Sequence, residues 1–230
     1  MSDPLLVARL RRLDTCAVSD ALDQFGLGGV APGLRAFGAP RRVAGRVITV
    51  RLERATPELA ASLSARGVAT RHLGTAAVDA SGPGDVIVVS NGGGPDVSGW
   101  GGILSLGAKT RGAEGVIVDG GCRDVDEARE FDLPLYARNA VPQTARGRVT
   151  ETTWNEPIPF GDLTVAPGDL VIADGSGVVF LSASWAREII GAAELIAARE
   201  RAMMESVRAG EKLVHVMGAT YENLITPLEK

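Results

Sequence analysis

Lysine is almost missing from this chain of 230 residues: Lys109, Lys212 and Lys230 are the whole set. Schiff-base chemistry needs a desolvated lysine. Lys109 shares a helical stretch with Arg111, and the other two fall in the tail, which argues against an imine mechanism. Histidine is scarcer still, with His72 and His215 far apart in sequence. A zinc site built from several His or Cys ligands is therefore not supported, and both read as helix-surface or partly buried histidines. The two cysteines, Cys16 and Cys122, imply no disulfide framework and make a reduced, cytoplasmic setting the default.

Positive charge is also short. A net charge of -4 argues against broad nucleic-acid binding, which needs a concentrated basic face. The densest basic cluster, Arg41, Arg42 and Arg46, has no aromatic residues interleaved and reads as a solvated loop. No apolar run approaches the roughly 20 residues a membrane helix requires. The N-terminus, with Asp3 and several arginines, shows no secretory signal. A soluble protein with no membrane partner is expected. The glycine run Asn91-Gly92-Gly93-Gly94-Pro95 does not fit G-x-G-x-x-G, because the third glycine would fall on Val97. It also lacks a P-loop lysine, and so reads as a loop, over a site or not.

What is present has an ordinary apolar content and enough length for a substantial core. No linker divides the chain, so one mixed α/β domain over 1–230 is expected, its core about 15–209, with decorations at both ends. Helical spacing marks Pro4–Leu13, then Thr15–Phe25 with Gly26 as its stop. Residues 26–45, rich in Gly, Pro and Ala, read as a surface wrap. Arg46–Leu52 alternates as a strand, and Thr56–Asp79 is helical with breaks at Gly67 and Gly74. Pro83-Gly84-Asp85 before Val86–Val89 and Pro167-Gly168-Asp169 before Leu170–Ile172 reuse one turn-to-strand device. Several short strands between 147 and 181 favour antiparallel or mixed pairing. A long helix follows from Ser184 to Ala209, docking Trp185, Ile189, Ala193, Ile196, Met203 and Val207. A further helix is expected over Met217–Leu224.

The chain is organised around Trp100–Asp124. A helix is expected from Gly101 to Arg111, a stop at Gly112, a buried strand over Val116–Asp119, and a Gly120-Gly121 turn delivering Arg123 and Asp124 side by side. An adjacent Arg and Asp is usually surface decoration. Here the pair follows an apolar strand, and the two glycines leave room for a ligand. A permanently charged fork beside a hard carboxylate could hold a metal-bound anion. The free amides of Gly101–Leu104 could form the opposite wall, although glycines at a helix start are by themselves only flexible. Asp20 and Asp23 share a helix face but read as a solvated edge. Cys122, with no base near it in sequence, reads as a small filler and not a nucleophile.

Gly101-Gly102-Ile103-Leu104, Arg111-Gly112-Ala113-Glu114-Gly115-Val116 and Asp119-Gly120-Gly121-Cys122-Arg123-Asp124 together resemble the RraA-like family. That family includes divalent-metal-dependent 4-hydroxy-4-methyl-2-oxoglutarate aldolases that also decarboxylate oxaloacetate. Val18–Leu22, the two Pro-Gly-Asp turns, Pro134–Arg138 and Ala173-Asp174 extend the similarity over most of 15–209. The resemblance implies a β/β/α swivelling-type domain with a mixed sheet and flanking helices, assembled as a homotrimer or hexamer with the site near a subunit boundary. By position it implies that Gly101, Gly102, Ile103 and Leu104 contact substrate through backbone amides. Arg123 would grip the carboxylate of a small, pyruvate- or oxaloacetate-like 2-keto acid, and Asp124 would hold Mg²⁺ or Mn²⁺ directly or through water.

One ion draining charge from a pyruvate enolate would serve both retro-aldol cleavage and decarboxylation. Some family aldolases carry an acid where this chain has Gly102, which leaves proton handling open. The family also includes protein-binding ribonuclease inhibitors, and a pathway-specific enzyme acting on another small acid is a third reading. A menaquinone methyltransferase reading finds no methyl-donor-binding glycine loop.

Overall fold

The computed structural model describes residues 4–67, 72–92, 94 and 96–218. Two helices open the chain, α1 (Pro4–Leu10) and α2 (Thr15–Gln24). Leu6, Leu10, Val18 and Leu22 sink their apolar faces into the core. Asp14 caps α2 by accepting the Ala17 N–H at 2.8 Å, which satisfies one of the helix's orphan donors. Gly26, at φ +63°, then turns the chain away.

The glycine-rich stretch 26–45 does not merely wrap the surface. It contributes β1 (Val30–Ala31) and β2 (Arg35–Ala36) to opposite ends of the main sheet. Glycine permits this by close approach: a Cβ at Gly29 would fall 2.3 Å from the Phe180 carbonyl oxygen, and one at Gly38 2.2 Å from that of Leu133. Composition signals a loop, whereas the contacts that make strands of it come from distant residues.

The spine is β3 (Val43–Arg54), longer than its alternating stretch suggests. Residues 46–52 pair in parallel with β4 (Asp85–Asn91). On its other edge β3 takes β10 (Leu170–Asp174) at its start and β7 (Val149–Trp154) at its end, both antiparallel. Helices α3 (Pro57–Ala65) and α4 (Thr75–Ala80) connect β3 to β4. Next come α5 (Gly102–Arg111), β5 (Gly115–Cys122), α6 (Val125–Glu130) and β6 (Leu135–Ala140). Strands β4, β5 and β6 run parallel, joined by these helical crossovers. A hairpin of β8 (Ile158–Phe160) and β9 (Leu163–Val165) turns at Gly161. Last are β11 (Gly177–Leu181), α7 (Ala186–Arg208) and α8 (Leu213–Val216). The sheet order β1-β11-β10-β3-β4-β5-β6-β2, with β7 beside β3, is the mixed α/β architecture expected.

Alternation along the central strands feeds both faces. Ile87, Val89, Val116 and Val118 pack with Trp100, Ala108 and Ala128 under the crossover helices, while Val86, Val88 and Ile117 meet Tyr136, Phe160 and Val171. Leu10, Val18, Leu170, Leu181 and Ile189 form a further cluster under α1, α2 and α7.

The two Pro-Gly-Asp turns share a mechanism. Gly84 and Gly168 take φ of +86° and +89°. In each turn the aspartate accepts a backbone N–H three residues back, Gly82 to Asp85 at 3.1 Å and Ala166 to Asp169 at 2.8 Å. The basic cluster is not one solvated loop, since Arg46 lies in β3. Each member meets its own carboxylate: Arg41 with Asp132 at 3.2 Å, Arg42 with Asp174 at 3.9 Å, Arg46 with Asp85 at 2.6 Å.

Helix α7 begins at Ala186, one residue later than a Ser184 cap predicts, because the Ser184 hydroxyl is engaged by Ser182 at 2.8 Å. Its docking stripe ends at Ala197. Trp185 and Val207 are 44% and 42% exposed, so the helix outruns the sheet it packs on. Met217 and Gly218 form a turn and bend; the remainder of the helix expected over 217–224 lies outside the described residues.

Candidate active site

Strand β5 extends to Cys122, so Gly120 and Gly121 belong to it and are not a turn. The missing side chain of Gly120 does not clear space for a ligand. A Cβ at Gly120, where φ is +154°, would fall 2.7 Å from Cβ of Asn91, and one at Gly99 2.9 Å from that side chain's amide. Asn91 is buried between them and donates Nδ2–H to the Val97 carbonyl at 2.7 Å. The glycines are required by this buried amide.

Asn91 holds the loop before α5 against the end of β5. Ser98 bridges in parallel to Gly121, and the Gly99 N–H donates to the Gly121 carbonyl at 2.8 Å. The Arg123 N–H then donates to the Trp100 carbonyl at 2.9 Å. Trp100 anchors the segment: its ring is buried, and its indole N–H donates to the Ser105 hydroxyl at 3.0 Å. That hydroxyl in turn donates to the Gly101 carbonyl at 3.1 Å. The first turn of α5 is thereby fixed beside Arg123 and Asp124, beyond the carboxyl ends of β4 and β5. Open α/β sheets bind ligands at that edge.

The helix starts without a side-chain cap on Gly101, so its leading amides need partners. Asp124 supplies one. Its Oδ2 accepts the Gly102 N–H at 2.9 Å, and both carboxylate oxygens accept Nε–H of Arg123 at 3.1 Å. To do this Asp124 adopts φ +56° and ψ +42°, a left-handed conformation uncommon for a side-chain-bearing residue. Among the described residues the Nη groups of Arg123 have no protein partner. The pair is half-buried, at 37% and 28% side-chain exposure.

The backbone here must be bare. A Cβ at Gly101 would lie 2.8 Å from Asp124 Oδ2, and one at Gly102 3.2 Å from Asp124 Cβ. Gly101, Gly102, Ile103, Leu104, Arg123 and Asp124 all line one cavity of about 460 Å³. The structure thus brings together every site residue named from the sequence. The Ile103 side chain itself is 91% exposed. Sequence reading did not place His72, Thr144 and Arg146 here, yet they complete the wall. They arrive from the α3–α4 connection and the segment before β7, and no local pattern announces that meeting. Glu127, in the first turn of α6, is also close, its Oε2 3.3 Å from where a Cβ at Gly102 would fall. Its spacing of three from Asp124 was the available signal.

Cys122 fits the filler reading. It is fully buried, and burial, with the Asp124 charge adding, pushes its thiol up to about 12. Lys109 donates to the Asp132 carbonyl and carboxylate on the surface, away from the cavity. Asp20 is partly buried, which raises its carboxyl above the usual range, whereas Asp23 is exposed. A larger hollow of about 890 Å³ opens beside Arg46, Trp154 and Arg187. Its Arg46 is committed to Asp85.

Among the described residues no group of three or more His, Cys, Asp or Glu could hold a metal ion, and no helix is long and apolar enough to cross a membrane. A hard cation of the magnesium type needs only one or two carboxylates, with water and substrate oxygens supplying the rest. Asp124, its oxygen faced by two bare glycines, meets that requirement.

The RraA-like family model, described as Aldolase/RraA, matches residues 15–180. A Deinococcus radiodurans protein named "Putative 4-hydroxy-4-methyl-2-oxoglutarate aldolase" is 33% identical over 171 residues, covering 74% of this chain and 96% of that one. The match to a Methanocaldococcus jannaschii protein, 32% identical over 127 residues, spans 51% of this chain and 56% of its own length. A crystal structure from Pseudomonas syringae superposes with a TM-score of 0.81 at 28% identity, over 94% of this chain and 98% of that one. Streptomyces coelicolor RraAS2, described as an unusual member of the RNase ES inhibitor RraA protein family, gives 0.72 at 25% identity, over 86% and 95%. The matched span includes the β4–α5–β5–α6 unit that builds the cavity, and the chain belongs to the RraA-like family.

Proposed function

We propose that this protein is a divalent-metal-dependent carbon–carbon lyase acting on a small 2-keto acid, of the 4-hydroxy-4-methyl-2-oxoglutarate aldolase and oxaloacetate decarboxylase type. The observation that carries the reading is Asp124 Oδ2 accepting the Gly102 N–H at 2.9 Å while Arg123 pairs with the same carboxylate. One contact set binds the guanidinium, the hard carboxylate and the helix amides into a single cavity. A divalent ion held at Asp124 would supply Lewis acidity, withdrawing charge from the keto oxygen as the carbon–carbon bond breaks.

The chain's own groups do the rest. The Nη groups of Arg123 offer a planar fork to the keto-acid carboxylate. The N–H groups of Ile103 and Leu104, at the positive end of α5, orient the anion and favour negative charge. Trp100 and the packed loop behind it keep these donors fixed, which is where most of the electrostatic benefit arises. His72 stands exposed at the cavity wall.

The test is pyruvate release from oxaloacetate and from 4-hydroxy-4-methyl-2-oxoglutarate with Mg²⁺ or Mn²⁺. Release should stop with chelator and in Asp124→Ala. Turnover indifferent to both would remove the assigned role.

A second reading, a protein-binding regulator, draws on Ile103 and Leu106, which are 91% and 49% exposed on the α5 surface beside the cavity. Absence of turnover together with capture of a ribonuclease by the purified chain would favour it. Chelator-sensitive turnover decides for the lyase.

A further inference from the structure

Helix α7 buries one face in the core as far as Ala197, through Ile189, Ile190, Ala193 and Ile196. The three-to-four spacing of that face continues past it as Glu200, Met203, Met204 and Val207. Beyond Ala197 the face is left partly open, with α8 lying alongside it. Between the two helices runs a groove of about 350 Å³, bounded on the α8 side by Leu213, Val216 and Met217. Met204, Val207, Leu213 and Met217 all stay exposed. A contiguous apolar face of this kind marks an interaction surface, and methionine adapts readily to whatever it packs on.

The charges of the groove say what fits it. Glu200 and Arg208 both line it. They are eight residues apart, about 12 Å along the helix, with Met204 midway. Neither has a hydrogen bond or ion pair among the described residues. Glu200 also lies in an acidic setting: burial, then the charges of Asp20 and Asp14 nearby, raise its carboxyl above the ordinary range. A stripe that runs acid, apolar, base is complementary to its own reverse. Two copies of α7 laid antiparallel across a twofold axis at Met204 set Glu200 of each against Arg208 of the other. The methionines meet between them. Each pairing then occurs twice, as in any isologous contact. A parallel arrangement would instead set Glu200 against Glu200, so the charges select the orientation, as they do in paired helices generally.

We propose that the α7–α8 groove is an interface for a second copy of this chain, the two α7 helices pairing antiparallel about Met204 with reciprocal Glu200–Arg208 ion pairs. The proposal does not depend on the lyase reading.

The test is the mass of the full chain by analytical ultracentrifugation over a concentration series, with oxidative cross-linking beside it. Glu200→Arg and Arg208→Glu each turn two attractions into two repulsions. Each is expected to weaken the pairing about 10- to 100-fold, halving the mass at concentrations where wild type is paired. The double exchange, Glu200→Arg with Arg208→Glu, restores opposite charges and should restore the mass. In a Cys16→Ser background, Met204→Cys should form a disulfide with its own copy, because the two copies of an axial residue come within bridging distance. Leu195→Cys, exposed about two and a half turns away on the opposite side of α7, should not. Wild-type mass in both single variants, or a double exchange that stays halved, would overturn the proposal, as would equal cross-linking at 204 and 195. A wild type that does not pair at any concentration would overturn it too, leaving the groove to another occupant, residues 219–230 of the same chain among them.

Discussion

A single methyl group at Gly101 tests the cradle more sharply than removing a charge. Gly101 has φ −149° and ψ −174°, an extended conformation alanine adopts without strain. The cost is therefore steric. The added Cβ would sit 2.8 Å from Asp124 Oδ2 and 3.2 Å from Cγ of Arg123, where ordinary contact begins at 3.4 Å. The carboxylate oxygen must retreat by about 0.6 Å, the difference between those two distances. Both side chains are half-exposed, so they can move, and the fold should lose less than the roughly 1–3 kcal/mol typical of overpacking. Their movement, however, breaks the 2.9 Å contact to the Gly102 N–H and misaligns the pair. A misplacement near 1 Å costs about 100-fold in rate. Gly101→Ala should therefore keep its urea midpoint within the shift expected for about 1 kcal/mol while pyruvate release from oxaloacetate falls about 100-fold. Wild-type turnover in a folded Gly101→Ala chain would refute the claim that the bare backbone positions Asp124.

Three more outcomes follow from the packing and the shifted groups. Trp100→Phe removes the indole donor to Ser105 and leaves a void in a buried site; a loss of about 2 kcal/mol in urea unfolding is expected, and a loss under about 0.5 would show that the anchor is not structural. Native chains should react with one equivalent of a thiol reagent at neutral pH, at exposed Cys16, because burial pushes the Cys122 thiol up to about 12; two fast equivalents would contradict that burial. Burial alone would raise Asp174, but hydrogen bonds from the Thr15 hydroxyl and N–H at 2.7 and 2.9 Å, the Ser176 N–H and the charge of Arg42 hold it below the usual carboxylate range. Its folded value lies under its unfolded one, so its stabilisation is present at neutral pH and lost as pH falls through the folded value. Thr15→Val should cost about 1 kcal/mol at pH 7, with the gap to wild type shrinking in acid; a gap constant with pH would remove the linkage.

Local chemistry was legible where it acts locally. Gly112 at φ +84° ends α5 as a left-handed cap, and the Pro-Gly-Asp turns launch β4 and β10 because a short-range side-chain bond closes each. The apolar run at 116–118 is a central strand because both its faces are buried. Gly120 and Gly121 misled because a glycine pair after a strand usually turns, whereas here both stay in β5 and Gly120 makes room for the Asn91 amide from the next strand over. Strands β1 and β2 have two residues each and exist only through their partners β11 and β6. His72 and Arg146 reach the cavity from segments more than 70 residues apart in sequence, a meeting set by the crossovers that no spacing rule encodes.

The conformation of Asp124 connects these levels. Left-handed backbone at a residue with a side chain costs on the order of 1 kcal/mol, least for Asp and Asn, and glycine would remove the cost outright. The strand-to-helix corner between β5 and α6 imposes that backbone, since Cys122 still pairs with Ala140 and Val125 already begins the helix. Glycine takes such backbone at Gly112 and Gly84, and Asp132 and Asn155, with short polar side chains, take it elsewhere. Asparagine would tolerate the backbone and keep an acceptor for the Gly102 N–H, but it would give up the charge. Aspartate is the residue that accepts the geometry, caps α5 in place of the side chain Gly101 lacks, and keeps a carboxylate beside Arg123. On the lyase reading the strain at this corner serves a negative charge, and it is on that charge, more than on the shape of the turn, that the proposal depends.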